Sequence, residues 1–483
     1  MQKSETGTAG SDAGKTNVPS RKGRVGAISL PEVPIEAVKI KEHAVTFDDI
    51  TSEDEFGRIF DSFKDCQVVL IGDGTHGTSE FYTARATITQ RLISHHSFNV
   101  VAVEADFPDA EYIDRYVRQR PPPEMRRIPS KEEFEPFRRF PTWMWRNKEV
   151  QAFIEWLRNY NASKRGHDER KLTSFFGLDL YSLGASLRAV IDYLEVVNPQ
   201  LAEKARERYG HIEPWIEEPT AYGLASLHFD MSACEREATQ MLKELLEQRL
   251  ELMSHKYDGE EFHSAEQNAA LVADAEAYYR AMFKQDENSW NLRDKHMFST
   301  LKRIIDTKGK DTKVVIWAHN SHCGDARDTS MGWKRGELNI GQLCREHFGQ
   351  DHVGIIGFGT ETGTVAAARN WDGDMVPMKV NPSRNDSFEH LFHLSGLPRA
   401  FLDLREGMLD EELRKNLMKV RLERFIGVVY KPATERWSHY SSAKLSRQFD
   451  AYVWIENTHH VEDLVEHEPK TPLAFNETYP FGL

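Results

Sequence analysis

The sequence predicts an α/β protein: a largely parallel central sheet flanked by helices, with an α-helical excursion inserted in it. Three observations point there. Apolar strand-like runs recur along the 483 residues with helix-length segments between several of them, the alternation that covers a parallel sheet on both faces. One run, Val68-Val-Leu-Ile71, feeds straight into the turn Gly72-Asp-Gly-Thr-His-Gly77, as strands do where an open sheet presents a ligand site. The stretch from Ser182 to Ile305 carries only helical signals, and is read as an excursion, either a subdomain or a lid.

In chain order, residues 1–30 are rich in Ser, Thr, Gly and Lys with scarcely any large apolar side chain. They read as a disordered tail ahead of one elaborated unit over 31–483. Strands are expected at Val68–Ile71, Val100–Val103, Ser174–Leu178, Lys313–Trp317, Val353–Phe358, Phe425–Tyr430 and Tyr452–Ile455. The excursion is expected to hold helices at Leu183–Val197, Leu201–Arg208, Met231–Met253, Ala265–Phe283 and Leu292–Ile305. Pro121–Arg139, with its run of prolines and many charges, is expected to be a long loop, a feature that is often functional in a compact enzyme.

Composition narrows the function classes. The net charge is −14, with 76 acidic and 62 basic residues spread along the chain, which is no nucleic-acid footprint. Four cysteines, Cys66, Cys234, Cys323 and Cys344, show no C-x-x-C pairing, so neither a disulfide framework nor a thiolate zinc site is suggested. The N-terminus lacks a signal-peptide core, and no apolar run approaches the ~18 residues of a membrane span. A cytoplasmic protein acting on a small molecule is expected, with no nucleic-acid or membrane partner and no cofactor; the oligomeric state is left open.

The turn after the first strand is where chemistry is expected. Glycines let a backbone approach closely, and His76 can exchange protons near neutral pH. Gly72-x-Gly74-x-x-Gly77 also matches the dinucleotide-binding fingerprint. However, Glu104, the acid closing the next strand-like run, comes later than the roughly 20 residues that fingerprint expects, and a histidine occupies a turn where pyrophosphate needs bare backbone.

Two arginines lie on apolar helix faces. Arg85 shares a face with Phe81, Ile88 and Leu92, and leans back toward the turn holding Asp73 and His76. Arg293 shares its face with Met297, Leu301 and Ile304. Such cations need buried carboxylates or an anionic ligand group; core salt bridges are the plainer alternative. A third constellation closes the strand Lys313–Trp317 with His319, Asn320, Ser321 and His322. Carboxyl ends of parallel strands share one rim, so Asp73, His76, Glu104, His319 and His322 are expected to converge. A zinc site is conceivable there but lacks the H-E-x-x-H spacing, and no G-x-S-x-G elbow offers a nucleophilic serine.

Taken together, Ile71-Gly-Asp-Gly-Thr-His-Gly77, Val103-Glu-Ala-Asp106, Trp143-Met-Trp-Arg-Asn147, Phe176-Gly-Leu-Asp-Leu-Tyr-Ser182, Asn291-Leu-Arg-Asp294, Trp317-Ala-His-Asn-Ser-His322, Trp371-Asp-Gly373 and Glu435-Arg-Trp-Ser-His-Tyr440 resemble the erythromycin esterase family. That resemblance covers Val68 to the C-terminus. It implies a metal-independent esterase that opens macrolide lactones, with the water-activating histidine at His76 and supporting residues at Arg85, Glu104, Arg293, His319 and His322. One departure stands out: the family turn usually reads Gly-Glu-(Ala/Ser)-Thr-His-Gly, and here the acid is Asp73 followed by Gly74. The shorter side chain is expected to reach less well to both substrate and histidine, and a misplacement of about 1 Å costs on the order of 100-fold.

Elementary chemistry gives a consistent reading. Ester cleavage at neutral pH needs a base near pKa ~7 and an electrophilic clamp for the oxyanion. His76 suits the first; Arg85, Arg293 or a protonated member of the His319/His322 pair suits the second, with Asp73 or Glu104 orienting His76. The leading expectation is a hydrolase of an ester or lactone in a bulky natural product, for detoxification or biosynthetic tailoring. Trp143, Trp145 and Trp290 are candidates for cleft walls, ordinary core packing being the alternative for at least one. Two other readings stay open: a non-hydrolytic enzyme on the same fold (dehydration, cyclisation or acyl transfer), and a protein that binds a metal or cofactor without turnover.

Overall fold

In the computed structural model, which describes residues 33–464 apart from 121–135, 165–171, 217, 230–231, 250–251, 253–258 and 283–287, the apolar runs assemble into one nine-stranded sheet. The expected tail at 1–30 and most of the Pro121–Arg139 loop lie outside the described residues. The strands are β1 Val45–Thr46, β2 Val68–Ile71, β3 Val100–Asp106, β4 Ser174–Asp179, β5 Val314–Trp317, β6 Val353–Ala368, β7 Met375–Val380, β8 Arg399–Asp403, β9 Arg421–Arg424, β10 Tyr440–Ala443 and β11 Ala451–Thr458. Their order is β1-β8-β11-β6-β2-β5-β3-β4, with β7 paired to the far end of β6 and β9 with β10 forming a separate ribbon.

The six strands from β11 to β4 run parallel, whereas β1, β8 and β7 pair antiparallel. From β2 the chain moves to β3 and β4, returns to fill the gap with β5, and then crosses to β6 on the other side of β2. The winding reverses there, which opens a crevice at the carboxyl ends of β2, β5 and β3.

Continuous apolar strands are explained by cover on both faces. Alternate residues enter different cores. Val68, Leu70, Val100, Ala102, Val314 and Ile316 join the helical excursion, through Leu187, Met241, Phe262 and Leu301, in one hydrophobic cluster. Val69, Ile71, Val101, Val103, Val315 and Trp317 pack instead with the helices Ser79–His96 and Lys148–Lys164, through Phe81, Ile88, Phe153 and Leu157. The excursion therefore lies against the sheet and shares its core. Its helices are Leu183–Val197, Pro199–Tyr209, Pro219–Ala225, Ser232–Glu247, Glu260–Met282 and Asn288–Lys308. Among the described residues no helix is long and apolar enough to cross a membrane.

One expected strand is not a strand. Phe425–Tyr430 is an irregular strap that makes only isolated bridges, Ile426 to Thr75 and Val429 to Ala368. Its backbone groups serve the catalytic-looking turn: His76 N–H donates to Ile426 O (3.0 Å) and Ile426 N–H to Gly74 O (2.9 Å). The strap and β6 together hold the turn, and Ala366 N–H donates to Gly77 O at 3.0 Å. A Cβ on Gly77 would collide with the Ala366 backbone, and one on Gly72 with the Asn320 side-chain oxygen. These glycines allow close packing of protein against protein and do not leave bare amides for a phosphate.

Gly77→Ala should accordingly destabilise the fold by about 1–3 kcal/mol, the usual cost of overpacking. Denaturant unfolding measures this, and a midpoint equal to wild type would show that the turn does not depend on the close approach.

Candidate active site

The turn after β2 places Asp73 and His76, both essentially without solvent exposure, at the mouth of the crevice. Asp73 is the hub. Its Oδ2 forms an ion pair with Arg85 Nη1 at 2.7 Å, its Oδ1 lies 3.4 Å from His76 Nδ1, and the same oxygen is 3.9 Å from His319 Nε2. Arg85 is locked by two further bonds, Nε to Gly72 O (3.1 Å) and Nη2 to Ala318 O (2.6 Å). Burial opposes the charge on Asp73, but Arg85 and then His76 outweigh it and hold the carboxyl below its ordinary range. The shorter acid thus reaches its arginine fully and its histidine only loosely.

His319 follows β5. Its backbone N–H donates to Glu104 Oε2 at 2.9 Å, and its Nδ1 accepts from the Ser321 N–H at 3.3 Å. That assigns the proton of the neutral ring to Nε2, the nitrogen facing Asp73. Burial, with His76 close by, lowers His319 to about 3. The two imidazoles lie with ring centroids 4.7 Å apart.

A second hub is Arg293. Its Nε donates to Asp179 Oδ1 (3.0 Å), Nη2 to Asp179 Oδ2 (2.7 Å) and to Glu104 Oε1 (2.7 Å), and Nη1 lies 3.1 Å from His322 Nε2. Burial opposes ionisation of Glu104, yet His322 and Arg293 hold its carboxyl well below the usual range. His322 is stacked on Trp290, with centroids 4.4 Å apart and planes within 5°, and its Nδ1 meets both Asp294 oxygens at 3.0 Å. Burial would lower its pKa; Asp294 and Glu104 flanking the ring raise it.

All seven residues singled out in the sequence meet here, but not on one surface. A cavity of ≈ 50 Å³ is lined by His76, Glu104 and Arg293, together with Asp106, Asp109, Asp179 and Tyr181. Asp73, Arg85, His319 and His322 stand behind it. Arg85, expected to contact substrate, is turned inward, with no exposed surface and its guanidinium engaged by Asp73, Gly72 and Ala318. Trp145 lines the cavity and its Nε1 donates to Glu104 O at 3.0 Å, whereas Trp143 packs edge-on against Phe140 as core. Apart from Arg293, no described residue of the excursion lines it, so the expected tryptophan-lined helical cleft gives way to one built from Phe137, Phe140, Met144, Trp145, Trp371 and Val428.

Sequence reasoning passed over Asp179, Asp294 and Asp109. The first two sit beside blocks it had marked: Asp179 ends β4 inside Phe176–Ser182, and Asp294 follows Arg293. Among the described residues, no three His, Cys, Asp or Glu side chains are grouped to hold a metal. The centre of the site is instead occupied by the Arg293 guanidinium, a fixed cation.

A family model described as erythromycin esterase matches residues 93–458. Erythromycin esterase type II of Escherichia coli is 20% identical over 427 residues, covering 84% of this chain and 93% of that protein. A putative hydrolase, YbfO, of Bacillus subtilis (strain 168) is 20% identical over 417 residues, covering 82% and 84%. Among solved structures, a succinoglycan biosynthesis protein superposes with a TM-score of 0.70 at 20% identity, covering 89% of this chain and 98% of that one. An erythromycin esterase mutant, EreC, in its open conformation gives 0.61 at 15% identity, covering 86% and 98%. At these identities the structural likeness is one of fold.

The electrostatics set an acid limit on stability. Folded His319 stays neutral down to about pH 3, whereas an unfolded histidine protonates near ~6.5. Between those values the unfolded chain binds more protons, so stability falls as pH falls; Asp73 and Glu104, both held low, add to the loss further down. The thermal midpoint should therefore drop on acidification from neutral pH, and drop less steeply in His319→Asn. Equal slopes in the two proteins would show that His319 is not buried neutral.

Proposed function

This chain belongs to the erythromycin esterase family, and on that premise we propose that it hydrolyses an ester or lactone of a bulky natural product with water activated by His76. The observation that carries the reading is the division of contacts around His76: Nδ1 faces the Asp73 carboxylate while the ring lines the cavity. A carboxylate at Nδ1 fixes that proton and stabilises the imidazolium, which leaves Nε2 to take a proton from water. Hydroxide then attacks the acyl carbon.

The developing oxyanion needs a donor fixed in advance. Arg293 carries five N–H donors, and four are directed at Asp179, Glu104 and His322. The fifth, on Nη1, remains for a ligand, and the guanidinium sits on the cavity wall. Glu104, Asp179 and the His322–Asp294 pair hold it in place. Arg85 acts at one remove, fixing Asp73.

The chamber of ≈ 50 Å³ accommodates an ester group and a water, whereas ligand pockets for whole molecules of drug size run to roughly 300–1,000 Å³. The body of a bulky substrate is therefore held outside the chamber, against the apolar rim of Phe137, Phe140, Trp371 and Val428. Such an arrangement recognises the reacting bond tightly and the rest of the molecule loosely.

Incubation with a panel of macrolide and other polyketide lactones, followed by mass spectrometry, should reveal a product heavier by one water. His76→Asn should lower that turnover by about 100-fold or more while leaving the fold intact; unchanged turnover in the folded variant would remove His76 from the chemistry. Asp73→Glu restores the longer acid of the family turn. If hydrolysis is the reaction, this variant should retain or raise lactone opening; damage to the native activity with no lactone opening would favour a non-hydrolytic enzyme on the same fold.

A further inference from the structure

Among the described residues, the cavity wall carries two carboxyl groups that hydrolysis as described does not use, Asp106 and Asp109. Glu104 and Asp179 are held by Arg293, and Asp106 is held by Arg139, whose Nε and Nη2 donate to its two oxygens at 3.0 and 3.4 Å. Arg139 and Arg293 lie over the Tyr181 ring, 4.6 and 5.0 Å from its centroid. The fourth carboxyl is Asp109, in the first turn of the helix Phe107–Arg118, which begins where β3 ends. It takes a hydrogen bond from the Phe137 backbone N–H. Building on the hydrolytic reading, we propose that Asp109 is a catalytic residue, the general acid that protonates the departing alcohol oxygen.

Placement supports this assignment. His76 belongs to the turn after β2 and Asp109 to the helix after β3, and β5 lies between those strands. Two strand spacings are roughly 9–10 Å, so base and acid rise on either side of a chamber into which both project. The ester fits between them. Burial, and next the negative charge of Asp106, push the Asp109 carboxyl up to about 7, against the Phe137 hydrogen bond and the more distant guanidinium groups of Arg139 and Arg146. Glu104, Asp179, Arg293 and His76 are the other charged or titratable groups on the chamber wall, with the Tyr181 phenol. Asp109 thus keeps its proton to higher pH than an ordinary carboxyl, as a general acid must.

The step balances without any further reactant. His76 takes a proton from water as the hydroxide oxygen bonds to the acyl carbon. The bond from that carbon to the alcohol oxygen then breaks, its electron pair leaves with the oxygen, and the Asp109 proton is transferred to it. His76 returns its extra proton through solvent and Asp109 is reprotonated, so the net change is addition of one water.

Ethyl and 4-nitrophenyl butyrate share an acyl group and differ in whether the leaving oxygen needs a proton. Asp109→Asn should lower kcat/KM for the ethyl ester by about 100-fold, the usual scale of acid catalysis, and for the nitrophenyl ester at least about tenfold less. The alkaline limb of the ethyl-ester pH profile should disappear in the variant, because that limb reports loss of the acid's proton. Asp109→Glu should restore part of the ethyl-ester rate, and carbon-13 NMR should find a carboxyl titrating near pH 7 that is missing from Asp109→Asn. Equal losses on the two esters, or an intact alkaline limb, would overturn the role of Asp109 while leaving hydrolysis standing. Failure of the wild-type protein to cleave either butyrate or any lactone of the panel would overturn both readings.

Discussion

The ion pair between Asp73 and Arg85 is the constraint on which the rest of the site depends. Both side chains are fully enclosed, and removing two charges from water costs several kcal/mol per ion unless geometry and hydrogen bonds compensate. Here they do. Arg85 completes its shell with the carbonyl oxygens of Gly72 and Ala318, the residues that follow β2 and β5, so one guanidinium joins a helix to the carboxyl ends of two adjacent strands. The glycines, the strap at Phe425–Tyr430 and the Asn320 side chain all follow from the need to bring backbone close round this pair. Asn320 N–H donates to Asp73 O at 2.7 Å, while its side chain bonds Phe358 O and Glu423.

Arg293 repeats the device one layer out. It links residues from the ends of β3 and β4 to the short helix after β5, and unlike Arg85 it keeps an edge on the cavity. The contrast assigns the two arginines different work. A guanidinium enclosed away from the cavity can only position its neighbours, whereas one on the cavity wall is placed to meet charge in a ligand. In the proposed reaction, a clamp held on several sides in advance needs little reorganisation when the oxyanion forms.

How much of this was legible in the sequence depends on the physics behind each residue. Val68–Ile71 read as a strand and is one, because four apolar residues between turn signals have few alternatives. Arg85 and Arg293 stood out because a cation on an apolar helix face demands a partner. Phe425–Tyr430 was misread: its composition suits a buried strand, but its neighbours are a turn and the end of β6, which offer isolated bridges and no ladder. The strands β7, β9 and β10 went unseen because half-exposed edges and ribbons carry charged and polar side chains, and β8 because its buried apolar run, Ala400-Phe-Leu402, is only three residues long. Asp109 and Asp179 were invisible for a different reason. In a chain with 76 acidic residues, an aspartate declares nothing until folding removes it from water.

The same reasoning explains why carboxylates with such different behaviour can share one small chamber. Among the described residues four of them line it, and left alone they would repel one another and hold several protons between them. Two arginines divide them: Arg293 takes Glu104 and Asp179, Arg139 takes Asp106. Burial, with the charge of Asp106 next to it, raises the carboxyl of Asp109. In this fold the sorting is done by which strand end each guanidinium can reach, so the proposed division of labour depends on sheet order as much as on the identity of the side chains.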